Sequence, residues 1–160
     1  QMVRPLVDEV ERYGEYSRAG EFVYDHPFQW GSKRTGPDLA REGVSQGEMF
    51  KKNNTWHFQH LYEPSSLSPG TIMPSYKWLV KDEVDTELTV DKINAMRTLG
   101  VPYEEGYENE AVAELEAQAD MIISTLTLDE NERAQITNHS EMIALIGYLQ
   151  RLGTDIIVEK

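Results

Sequence analysis

The chain has 160 residues, no cysteine, 39% hydrophobic residues and a formal charge of -13 from 28 acidic and 15 basic side chains. That length makes one ordinary domain with a core of its own, while the carboxylate excess argues against nucleic acid and anionic lipid surfaces, whose phosphates need clustered Lys and Arg. No apolar run approaches the roughly 20 residues of a membrane-spanning helix, and the mean hydropathy is -0.55. The N-terminus lacks a basic start followed by an apolar stretch, and Gln1 is not an initiator residue. The expectation is a processed or trimmed chain, and trimming would take any anchor or export signal with it.

In chain order, Leu6, Val10 and Tyr13 make a short helical stripe over 5–13, and Asp25-His26-Pro27 stops any longer helix. The rest of residues 1–35 reads as an irregular loop of the kind that carries function. Pro37 opens a helical turn through Arg41, where its missing N–H costs nothing. Ser45 followed by Glu48 is a capping-box pattern. It predicts a helix to about Tyr62, with Met49, Phe50, Trp56, His60 and Leu61 on its mixed apolar face. The run Glu63-Pro64-Ser65-Ser66-Leu67-Ser68-Pro69-Gly70 reads as a loop.

Thr89 is expected to cap a helix over 90–99, stopped by Gly100 and Pro102. Asn109 is expected to cap another over 110–126, with Ala111, Leu115, Ala119, Ile122 and Leu126 near a 3.6 period. Asp129 starts a short piece through Ile136. Ser140 is expected to cap a last helix over 141–152, on which Met142, Leu145, Ile146, Leu149 and Leu152 form the apolar stripe. No strand pattern appears, so the fold class is all-α. The predicted organisation is one domain over 1–153, with an acidic helical insertion at 104–140 of no assignable role, and a tail at 154–160.

Met73 lies between a Pro/Gly-rich loop and Pro74. A thioether is a soft ligand that suits haem iron, and Pro74 holds Met73 in extended geometry. Filling a core gap is the commoner use of Met. Gly36-Pro37-Asp38-Leu39 is, on spacing alone, a turn that starts a helix. His57 and His60 share a helix face; without a cysteine or an obvious carboxylate beside them, they read as structural rather than as a zinc site. Tyr24, Trp30, Lys33 and Arg34 form a cluster that holds a cofactor's carboxylates, meets a partner subunit, or solvates a loop. No nucleophile motif, phosphate loop or dinucleotide fingerprint is present.

Taken together, the segments Tyr24 to Arg41, Trp56-His57, His60-Leu61, Met73-Pro74-Ser75-Tyr76, Trp78-Leu79, Leu99-Gly100-Val101-Pro102-Tyr103 and Tyr148-Leu149-Gln150 resemble the mono-haem subunit (subunit II, FixO) of cbb3-type cytochrome c oxidases. The resemblance covers residues 1–153. It implies a class I cytochrome c-like domain facing the periplasm from the bacterial cytoplasmic membrane. The domain would relay electrons through one haem c to the haem–copper catalytic subunit that reduces oxygen, without catalysis of its own.

The implied partners are that catalytic subunit, the di-haem cytochrome c subunit and soluble cytochrome c donors. Met73 would be the distal axial ligand of the haem iron. Pro37 would accept a hydrogen bond from the proximal imidazole, Arg34 and Trp30 would hold the propionates, and Tyr76 would belong to the distal loop. The terminal helix resembles the C-terminal helix of cytochromes c, with Gly147 at its crossing of the N-terminal helix. The family attaches its haem through Cys-x-x-Cys-His. No cysteine is present here, so this chain is expected to carry no covalent haem. The resemblance places the attachment site just before Gln1. A haemless cytochrome-like interaction or assembly module is the alternative.

Overall fold

A computed structural model describes residues 4–13, 15–24 and 52–152, and the described residues form helices and turns with no strand, apart from an isolated β-bridge between Glu83 and Ser140. The all-α expectation holds. The chain divides into two units, Gln1–Lys51 with Tyr148–Lys160, and Lys52–Gly147.

In the first unit, α1 spans Val7–Tyr13, two residues shorter at its start than the stripe suggested. Its first turn is fixed by Glu9, whose carboxylate accepts from the Arg4 backbone N–H at 2.8 Å and from Arg4 Nε at 2.7 Å. Glu9 thereby sits buried with its charge paired, the condition under which a carboxylate tolerates burial. A 3-10 turn follows at Ala19–Phe22.

The second unit opens at Asn53, whose side chain accepts from the Trp56 N–H at 2.7 Å and starts α2, Asn54–Tyr62. A continuous helix from Ser45 is therefore corrected: residues 52 and 53 are not helical. Asn53 competes for the backbone as an N-cap and starts α2 at Asn54. Met49, Phe50, Ser45 and Glu48 lie outside the described residues, as does everything over 25–51.

The expected loop after Tyr62 contains one helical turn, α3 at Pro64–Leu67, with Pro64 at its first position. A proline there loses no hydrogen bond. α4 spans Thr89–Thr98 and α5 spans Ala111–Thr125. Neither is capped as predicted. Thr89 is the first helical residue after Leu88, and the residue before α5 is Glu110, with no side-chain cap at either. Asn109 instead belongs to a 3-10 turn, Tyr107–Asn109, and donates to the Gly106 carbonyl at 3.3 Å. Asp129 does cap α6, Glu130–Arg133, and Glu132 completes a capping box. The final helix, α7, spans Glu141–Arg151.

The core of this unit is Phe58 from α2, Val80, Ala119 and Ile122 from α5, Leu126, and Met142, Ile143 and Ile146 from α7. Each large apolar side chain buried here contributes roughly 1.5–3 kcal/mol. The α7 stripe is rotated from the one expected, because Ile143 is fully buried while Leu145 keeps some exposure. Phe58, absent from the expected face of α2, is completely buried. The acidic stretch at 104–140 thus supplies core through α5, while Glu114 and Asp120 on the same helix are exposed. Gly147, expected at a crossing with the N-terminal helix, meets α5: a Cβ there would lie 3.3 Å from Ile122 Cδ1.

Two side-chain bonds tie α2 to the end of α5. Asn54 Nδ2 donates to Thr125 Oγ1 at 2.8 Å, and the Thr127 N–H donates to Thr55 Oγ1 at 2.9 Å. Arg97 gathers the turn between α4 and α5. It donates to the Glu104 carbonyl and the Glu108 carboxylate, both at 2.7 Å, and to Asn94 Oδ1 at 3.0 Å. No helix among the described residues is long and apolar enough to cross a membrane.

Candidate functional site

The segment 71–76 has no helical or strand structure and carries Met73. Its geometry begins with the turn Ser68-Pro69-Gly70-Thr71. The Thr71 N–H donates to the Ser68 carbonyl at 3.1 Å, and Gly70 has φ +82°. Proline second and a positive-φ glycine third are what a type II turn requires. The Thr71 hydroxyl then accepts from the Met73 N–H at 3.2 Å. Pro74 follows and excludes the helical region for Met73. Ile72 projects wholly into solvent at 101% exposure, Pro74 is exposed, and Met73 is half-buried.

Downstream, this strap is fixed to α2. The Tyr76 N–H donates to the Leu61 carbonyl at 2.8 Å. Lys77 Nζ lies 2.7 Å from Glu63 Oε2 and 5.1 Å from the centre of the Tyr62 ring. Ser65 Oγ donates to the other Glu63 oxygen at 2.6 Å. The hydrogen bonds from Lys77 and Ser65 hold the Glu63 carboxyl below its usual range, and the bond to Glu63 raises Lys77. The rings of Tyr76 and Trp78 meet edge to face at 5.2 Å, and Trp78 is 51% exposed.

A 3-10 turn, Lys77–Val80, leads away from the strap. Its carbonyls at Leu79 and Val80 each accept from Ser140 Oγ at 3.0 Å. The Glu141 N–H donates to the Asp82 carbonyl at 2.9 Å, and the Val84 N–H to the His139 carbonyl at 2.8 Å. Ser140, expected as the cap of α7, stands directly before it with its carbonyl accepting from the Ala144 N–H at 3.2 Å, and its hydroxyl binds the strap's C-terminal side to the start of that helix.

On α2, Trp56 stacks on His60 at 4.5 Å and meets His57 edge-on at 5.3 Å, with Lys52 Nζ 5.1 Å over the indole. His57 is 4% exposed. Burial, then the nearby His60 and Lys52, depress its pKa from 6.5 to about 4. Burial also lowers His60. Both imidazoles are neutral at pH 7. Among the described residues no group of three or more His, Cys, Asp or Glu is placed to hold a metal ion. The His57–His60 pair packs with Trp56 instead.

Of the predicted site residues, Met73 and Tyr76 fall on one strap. Trp30, Arg34 and Pro37 lie outside the described residues; Tyr24 is exposed. Leu61, Glu63, Lys77 and Ser140, which fix the strap, were not anticipated. Glu63 and Lys77 carried no sequence signal, because nothing in their spacing shows that α3 folds the chain back. The donor on the strap is a half-buried thioether, with Ile72, Tyr76 and Trp78 close to it in sequence. A soft thioether suits haem iron.

The sequence model of the family described as Cytochrome C oxidase, mono-heme subunit/FixO matches residues 1–156. No curated protein matches the chain.

Proposed function

We propose, because this chain belongs to the mono-haem subunit (FixO) family of cytochrome c oxidase, that it is the electron-relaying part of a cbb3-type terminal oxidase and that Met73 is the distal axial ligand of its haem c. The observation that carries this reading is the Met73 strap. The Met73 backbone is held between a type II turn and a hydrogen-bonded anchor on α2, and this supports a thioether presented at a defined place on the strap. When bound, haem supplies one-electron redox chemistry, and a methionine ligand raises its reduction potential.

The residues of the chain do the remaining work. Pro74 and Thr71 set the direction of the Met73 backbone. Tyr76 and Trp78, whose rings meet edge to face at 5.2 Å, follow the thioether in the chain as its aromatic flank. Leu61 and Ser140 stop the strap from drifting, since one accepts from Tyr76 and the other binds Leu79 and Val80. Trp30 and Arg34 complete the proposed set as propionate partners, and the Pro37 carbonyl as acceptor for the proximal imidazole. Membership of the family makes this a subunit of a multi-subunit, membrane-associated complex. The finer assignment is a domain on the periplasmic side, without catalysis of its own, that passes electrons to the haem–copper subunit beside a di-haem cytochrome c subunit. Soluble cytochromes c are further candidate donors.

The 160 residues contain no cysteine, so no thioether bond to haem forms from them. That observation favours one second reading, a haemless interaction or assembly module. The experiment that separates the two is expression of the intact protein, with its native upstream sequence, alongside a c-type haem maturation system. The first reading predicts covalent haem and a low-spin c-type spectrum. Protein that matures without haem, yet still assembles with its partner subunits, would establish the module instead.

A further inference from the structure

The strap is fastened differently at its two ends. Upstream, its bonds are local: Thr71 to Ser68 and Met73 to Thr71. Pro74 has no N–H to offer. Downstream, everything converges on two short stretches, 61–63 and 76–77. The backbone bond from Tyr76 to Leu61 closes the loop, and Lys77 reaches across to Glu63 with the Tyr62 ring beneath its ammonium. Ser65 steadies the Glu63 carboxylate from its far side. Beyond Lys77 the chain is pinned again, at Leu79 and Val80, by a fully buried hydroxyl. The ion pair is therefore the exposed, solvent-tunable link in an otherwise backbone-fixed anchor, with side-chain exposures of 51% and 43%.

We propose that the Glu63–Lys77 ion pair is the latch of the Met73 strap: it holds the thioether in place as a ligand, and its opening controls how fast a competing ligand displaces it. This rests on Met73 being the axial ligand. Glu63 and Lys77 act through the strap and are positioning residues. An exposed pair is worth little in global stability. Its effect is local because Lys77 follows Met73 by four residues, at the end where the strap is fastened. The screening length falls from about 10 Å at 0.1 M salt to about 3 Å at 1 M, close to the 2.7 Å separation of this exposed pair, so the latch loosens as ionic strength rises towards the molar range.

The test uses intact, haem-loaded protein, with imidazole as the competing ligand. The rate at which imidazole abolishes the ferric absorption band of thioether ligation is measured at low and high salt. Lys77→Ala and Glu63→Ala should each speed displacement by roughly two- to fivefold at low salt, the range of one exposed ion pair. The exchanged pair Glu63→Lys with Lys77→Glu should return to near the wild-type rate. Wild type at high salt should approach the single variants. Single variants that exchange at the wild-type rate would overturn the latch, as would a faster rate that neither the exchanged pair nor salt alters. Met73→Ala separates the two levels. If it lacks the band while the single variants behave as wild type, the latch alone falls. If it keeps the band, the axial assignment falls and the latch with it.

Discussion

Ser140 and Leu79 are joined by a hydrogen bond of 3.0 Å between residues 61 apart in sequence, and the same hydroxyl reaches the Val80 carbonyl at 3.0 Å. A serine hydroxyl has one proton, so the two carbonyls share it. The bond joins the helix that dominates the core to the segment leaving the Met73 strap. Ser140→Ala leaves those buried carbonyls without that donor, which costs about 1–3 kcal/mol. Urea unfolding should show the midpoint falling with an unchanged slope, because the surface exposed on unfolding stays the same.

Phe58 is the test of the core. It is fully buried on α2 among residues of α5 and α7. Phe58→Ala should destabilise by about 3–5 kcal/mol, a large share of the total stability of a domain this size. Equilibrium unfolding measures it; a loss under about 1 kcal/mol would mean that α2 does not pack as described.

Gly147 lies where α7 passes α5. The added methyl of Gly147→Ala would sit 3.3 Å from Ile122 Cδ1 and 3.8 Å from the Gln118 side chain. The contact is tight, but it is with the end of a side chain that shifts by a few tenths of an ångström. Alanine also gains up to about 1 kcal/mol of helix propensity. The two effects oppose, and Gly147→Ala should fall within about 1 kcal/mol of wild type. Gly147→Leu has no such room and should cost about 1–3 kcal/mol by overpacking. Thermal unfolding of both variants checks the contrast.

His57 predicts an acid weakness. Its folded pKa is about 4 against 6.5 in the unfolded chain. Above 6.5 neither state binds the proton. As pH falls through 6.5 the unfolded chain gains a proton that the folded state refuses, so stability is lost down to about 4. Below that both states are protonated and the loss from this group stops. Wild type minus His57→Gln, followed by unfolding free energy against pH, isolates the effect from the carboxylates. The difference should appear between about 6.5 and 4; a flat difference would show that His57 is not buried neutral.

How much of this was legible in the sequence varies by element. The helices of the second half were readable because each pairs an apolar repeat with a stop: α5 buries Ala119 and Ile122 as its period indicated, and Asp129 caps α6. The caps at Thr89 and Asn109 did not form: Thr89 is itself the first residue of α4, and Asn109 belongs to the 3-10 turn that ends before Glu110. Short polar side chains satisfy whichever backbone group is near in space, and for Ser140 that group is a carbonyl 61 residues away. Phe58 and Ile143 were missed because a buried helix touches neighbours on two sides, which widens the apolar face beyond a single stripe.

Met73 was legible only from its setting. Pro74, the Pro69-Gly70 turn and the Tyr76-to-Trp78 aromatics are local and can be read off the chain. The anchor formed by Leu61, Glu63 and Lys77 is not local. It exists because α3, one turn opened by Pro64, reverses the chain so that residues 61–63 meet 76–77. The expected partners of Met73 at Trp30, Arg34 and Pro37 lie outside the described residues.

The most direct measurement of the central claim is the reduction potential and ferric spectrum of the intact, haem-loaded protein beside its Met73→His variant. A thioether ligand raises the potential relative to a second imidazole. The account predicts that Met73→His lowers the potential and abolishes the ferric band of thioether ligation while the protein stays low-spin. A variant that keeps both the potential and the band of the wild type would contradict it, because the ligand would then lie elsewhere than on the strap.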